Sequence, residues 1–148
     1  MTDNNVTAEE LFTLVKEQLD NGLVSFAVAG MSMWPLLAQH RDFVTVEKCT
    51  AKQIKNMDII LYQTPQKKYL LHRVVRLTDT TFTTLGDGCL VLDEPQLRET
   101  VFARVVSVKR KGKILFNNAW YFKILFYIWT FLLPIRGPLL RFIRPMSH

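Results

Sequence analysis

Between residues 23 and 109 the chain divides into six short runs, 23–29, 43–47, 58–63, 69–77, 81–85 and 101–109. Each combines β-branched or aromatic residues with polar or turn-forming flanks, the pattern of strands in a pleated, half-buried surface. Six strands at this spacing predict a mostly antiparallel sheet or partly closed barrel, a mainly β fold. The polar stretch Thr64-Pro65-Gln66-Lys67-Lys68 suits a hairpin joining two of them. Upstream, Thr7-Ala8-Glu9-Glu10 reads as a capping box, and Leu11, Leu14, Val15 and Leu19 fall on one helical face. Asn21-Gly22 then supplies a stop, so an N-terminal amphipathic helix is expected to cover one end of the sheet. A chain of 148 residues is about one domain. The organisation expected is a helix in 1–22, a β-rich domain in 23–116 and a tail in 117–148.

The formal charge of +6 is unevenly placed. Residues 109–148 carry eight Lys or Arg and no Asp or Glu, so all the excess positive charge lies there. Phe116, Trp120, Tyr121, Phe122, Phe126, Tyr127, Trp129 and Phe131 crowd the same segment. Basic residues beside an aromatic, apolar run describe a membrane interface; a groove that tracks nucleic-acid phosphates would be polar and basic throughout. The expected partner is therefore lipid, with no nucleic acid. Residues 119–135 contain one charge, Lys123, and are marginal for a span, which needs about 20 apolar residues. Two short amphipathic helices broken at 134–138 and lying in the headgroup layer fit at least as well. The polar, acidic first ten residues do not read as a signal peptide, so the expected setting is membrane-associated with the β domain facing the cytoplasm. Cys49 and Cys89 form no metal-ligand spacing, and neither metal nor cofactor is expected.

Four residues stand out chemically. Ser32 sits in Gly30-Met31-Ser32-Met33-Trp34-Pro35, directly after an apolar run, where glycine freedom and proline restriction favour a tight turn that can aim a hydroxyl. It is a candidate nucleophile. His72 lies inside the run 69–77 and is the only one of three histidines in a well-specified element, so it is the candidate general base. Asp87, in the turn Gly86-Asp87-Gly88, and Asp93 could each orient its imidazole.

In this order the pieces resemble the serine peptidases of the signal-peptidase and SOS-repressor-cleavage superfamily. Gly30-x-Ser32-Met33-x-Pro35 is similar to the nucleophile motif, residues 57–62 to the strand that follows, residues 69–75 to the strand bearing the base, and Gly86-Asp87 to the late acidic turn. Where bacterial type I enzymes and the repressors use lysine, this chain has His72, resembling the endoplasmic-reticulum-type branch with its serine, histidine and aspartate. The resemblance implies Ser32 as nucleophile, His72 as base and Asp87, or secondarily Asp93, as orienting carboxylate. Glycine-aspartate pairs usual in the family appear here as Arg41-Asp42 and Met57-Asp58, which predicts altered turns. The function implied is a serine endopeptidase that removes a leader or signal segment from a protein or peptide. The alternative is a catalytically silent module of the same fold that docks a partner at the membrane.

Overall fold

A computed structural model describes residues 7–28, 30, 32–34, 36–116 and 120–143. Met31 and Pro35 of the serine motif, residues 117–119 and the basic Arg144 lie outside the described residues. Helix α1 (Ala8–Gln18) is followed by eight strands: β1 (Val24–Ala27), β2 (Asp42–Lys48), β3 (Ile59–Gln63), β4 (Tyr69–Leu77), β5 (Thr81–Leu85), β6 (Gln96–Leu97), β7 (Val101–Arg110) and β8 (Lys113–Phe116). Helices α2 (Trp120–Phe131) and α3 (Arg136–Ile143) close the described chain. The fold is mainly β: one open, curled antiparallel sheet with a few short helices.

The α1 capping box is complete. The Thr7 hydroxyl accepts from the Glu10 amide at 3.2 Å, and the Glu10 carboxylate accepts from the Thr7 amide at 2.9 Å. A short 3₁₀ turn, Leu19–Asn21, follows, and Gly22 at φ 131° ends it in a conformation other residues seldom reach.

Neighbouring strands run β1-β2-β7-β3-β4-β5-β6, with β8 added to β7. Long β7 is the spine: it pairs β2 along most of its length, β3 near its start and β8 near its end. The β3–β4 hairpin closes over the predicted turn, with the Thr64 and Lys67 backbones bonded at 2.8 Å and Lys67 at φ 63°. Strands β6 and β8 were not expected. At two and four residues they are too short to show a period in sequence, and register with β5 and β7 makes them strands.

Because side chains alternate along a strand, the sheet divides its apolar residues between two cores. One holds Val24, Phe26, Val44, Val46, Ile59, Leu61, Ala103 and Val105 together with Phe12, Val15 and Leu19 of the N-terminal helical segment. The other holds Ile60, Tyr62, Val74, Phe82 and Val101. His72 is in register with Ile60 and two residues from Val74, which puts it on the face of the second core.

The tail follows its sequence pattern with a shifted break. A 3₁₀ turn at Leu133–Ile135 separates α2 from α3, and Pro138 falls inside the first turn of α3, where a missing N–H costs nothing. Helix α2 has 12 residues, about 18 Å against a hydrocarbon core of about 30 Å. Among the described residues no helix is long and apolar enough to cross a membrane.

Candidate active site

Strand β4 supplies His72 and Arg73 as consecutive residues, and alternation sends them to opposite faces. Each meets its own carboxylate. His72 Nδ1 lies 2.6 Å from Asp93 Oδ2. Arg73, fully buried, donates from Nε and Nη2 to both oxygens of Asp87, at 3.0 and 2.8 Å, and from Nη1 to the Met57 carbonyl at 2.9 Å. The expectation that Asp87 orients the imidazole is therefore corrected to Asp93. Register gives the reason: Arg73 faces Leu85, and Asp87, two residues beyond Leu85, continues on the arginine's face.

Asp93 is held from two sides. Its amide donates to the Thr84 carbonyl at 2.9 Å, and its Oδ2 accepts from Thr84 Oγ1 at 2.7 Å as well as pairing with His72. Burial pushes the Asp93 carboxyl up, but hydrogen bonds from His72 and Thr84 outweigh it and hold the group below the ordinary carboxylate value. An ionised carboxylate only accepts, so two protons are fixed. The Nδ1 atom of His72 must carry its hydrogen, leaving Nε2 as the basic nitrogen. Thr84 must donate to Asp93, so the Tyr62 hydroxyl, 2.7 Å from Thr84 Oγ1, donates to Thr84. Burial, the leading cause, pushes the Tyr62 phenol up, which keeps it a donor. Tyr62 and Thr84 were not singled out in sequence. The signal available was positional: Thr84 faces Val74 in register, and Tyr62 lies two residues from the Ile60 that faces His72, so all share one face.

Gly86 joins this network to Ser32. A Cβ built on Gly86 would lie 2.5 Å from the Ser32 carbonyl oxygen, 2.7 Å from Cys89 Sγ and 3.1 Å from His72 Nε2. The serine backbone, the thiol and the basic nitrogen thus surround one point that only a glycine leaves open. The Gly88 amide donates to the same Ser32 carbonyl at 2.8 Å. Ser32 itself is exposed.

The flanks of Ser32 are anchored on both sides. Gly30 takes φ 78°, and its amide donates to Gln39 Oε1 at 3.0 Å. Met33 is buried in the first core, and Trp34 packs with Ala38, Trp129 and Leu140. Downstream, the fully buried Asp42 carboxylate accepts from the Ala38 amide at 2.9 Å, Arg41 at 3.0 Å and Arg110 at 2.7 Å. Burial raises the Asp42 carboxyl, but its arginine hydrogen bonds prevail and hold it low. The second altered pair behaves differently: Met57 keeps φ 75° without being glycine, held by its amide bond to the Val74 carbonyl at 2.8 Å and by Arg73 on its own carbonyl.

Among the described residues no group of three or more His, Cys, Asp and Glu is placed to hold a metal. Compared with protein-family models, with curated proteins and with solved structures, the chain matches none.

Proposed function

We propose that this protein is a serine endopeptidase of signal-peptidase type, in which Ser32 attacks, His72 takes the proton and Asp93 orients the imidazole. The observation that carries the reading is the His72 ring, fixed through Nδ1 on Asp93 with Nε2 turned to the Gly86 position that the Ser32 backbone also adjoins. A neutral imidazole is a competent base near neutral pH, with none of the pKa depression a lysine requires. Ser32 Oγ would bond to the scissile carbonyl carbon as its proton passes to His72 Nε2. The imidazolium would then protonate the leaving amine, and water would hydrolyse the acyl-enzyme by the same route. Backbone amides at the serine turn would hold the oxyanion. Asp93 would stabilise the imidazolium and forbid the wrong tautomer.

The substrate class is a leader or signal segment on a protein or peptide, met at a membrane. Ile124, Leu125, Tyr127, Ile128 and Phe131 of α2, with Ile135 after it, are exposed, and the tail carries no acidic residue to repel anionic lipid. N-terminal proteomics of cells carrying the natural chain or Ser32→Ala tests the reading: one or more processed N-termini should vanish in the variant. Identical N-termini in both would overturn it in favour of the silent docking module.

A further inference from the structure

The apolar C-terminal helices also touch the loop that carries the site. Trp129 Nε1 donates to the Asp87 carbonyl at 2.8 Å. That oxygen and the Gly88 N–H belong to one planar peptide group, and the Gly88 N–H is the donor to the Ser32 carbonyl. Fixing the oxygen therefore fixes the direction of the N–H, and hydrogen bonds at both ends of a peptide polarise one another. Two residues on, the Cys89 carbonyl accepts from Arg136 Nη1 at 3.2 Å.

Arg136 in turn holds Trp129. Its Nη2 donates to the Trp129 carbonyl at 2.8 Å, and its guanidinium lies 5.0 Å from the centre of the indole ring. This side chain is fully buried, and among the described residues its Nε has no hydrogen-bond partner and it forms no ion pair with a carboxylate. Burial pushes its pKa down, so the site bears a desolvation cost that an apolar residue at the helix corner would avoid. On the other side of the junction, Trp34, two residues after Ser32, packs with Trp129 and Leu140. The helical pair thus grips both segments that meet at Ser32.

We propose that Trp129 and Arg136 are positioning residues for the Ser32–His72 site, so that the C-terminal helices brace the catalytic loop from behind as well as presenting an apolar face. The catalytic part of this inference rests on the peptidase reading; the bracing itself does not. Cys89 offers a readout of the loop that needs no activity. Cys49 is buried and its thiol is pushed up to about 11 by that burial, so alkylation of the full chain with iodoacetamide reports Cys89.

Trp129→Phe keeps the ring and deletes the N–H; Arg136→Lys keeps the charge and loses the fork. In each variant the rate of Cys89 alkylation should rise about five- to tenfold as the loop loosens. Processing kcat should fall about tenfold with KM unchanged, while Leu14→Ser on the exposed side of α1 changes neither. Melting temperature, read alongside, separates loosening of the loop from loss of the fold. Wild-type alkylation and kcat in Trp129→Phe, with Ser32→Ala inactive, would overturn the brace and leave the peptidase standing. Faster alkylation in both variants, with processing indifferent to Ser32→Ala, would support the brace and overturn the peptidase reading.

Discussion

His72 Nδ1 lies 2.6 Å from Asp93 Oδ2, while Arg73, the next residue along the strand, holds Asp87 through both carboxylate oxygens. Two acidic residues six positions apart thus do different work, one on the imidazole and one in a buried ion pair. The two asparagine variants should separate them. Asp93→Asn should lower processing by roughly 10²–10⁴-fold with a smaller loss of stability than Asp87→Asn, because the tautomer and the imidazolium lose their carboxylate. Asp87→Asn leaves the Arg73 charge buried and poorly compensated, and should cost about 3–5 kcal/mol in denaturant unfolding. Equal effects of both substitutions on stability and on rate would contradict this division.

Gly86→Ala is expected to act on the site more than on the sheet. The added Cβ meets backbone at the Ser32 carbonyl, 2.5 Å away, so the serine segment and the 86–89 loop must part. A displacement near 1 Å should reduce processing about 100-fold, read as kcat/KM on a peptide identified by the N-terminal comparison. Gly22→Ala, which meets open space but keeps φ 131°, should cost stability without touching activity.

Acid should unfold the protein in a predictable window. Asp42 and Asp93 both have carboxyls held below the ordinary value of 3.8 in the folded state. Above that value both folded and unfolded chains are ionised and the stabilisation is complete. As pH falls through 3.8 the unfolded chain binds protons first, and the contribution is lost by the time the lowered folded values are passed. Thermal melts from about pH 5 to about pH 3 should drop steeply, and Asp42→Asn should be less stable at neutral pH but flatter across this range.

The exposed face of α2 should bind lipid in proportion to its charge. Phe131 is 84% exposed, so Phe131→Glu can remove apolar contact and add repulsion without disturbing a core. Sedimentation with vesicles containing phosphatidylglycerol should show about tenfold weaker association than the natural chain, and phosphatidylcholine alone should bind both poorly. Equal binding by the variant would remove the lipid assignment from this face.

Sequence alone determined the local elements. The capping box at Thr7 and Glu10, six of the eight strands and the 64–68 turn all follow from short-range rules: a hydroxyl three residues from a carboxylate, alternation along a strand, and turn residues between runs. Ser32, His72 and the two candidate carboxylates were legible because each stood in a distinct local setting. The division of Asp87 and Asp93 was not legible, because it depends on which face each reaches once β4 and β5 are in register. Tertiary structure also decided the part played by the tail. Composition marks residues 117–148 as apolar and basic, yet nothing local says that Trp129 and Arg136 turn inward to the Asp87 and Cys89 carbonyls while Phe131 turns outward. The stretch around Ser32 was the clearest feature of the sequence, but its geometry depends on Gly86, more than fifty residues away. A bare glycine there is read in sequence as a turn, and only the folded chain makes it the one residue small enough to let serine backbone and imidazole approach it together.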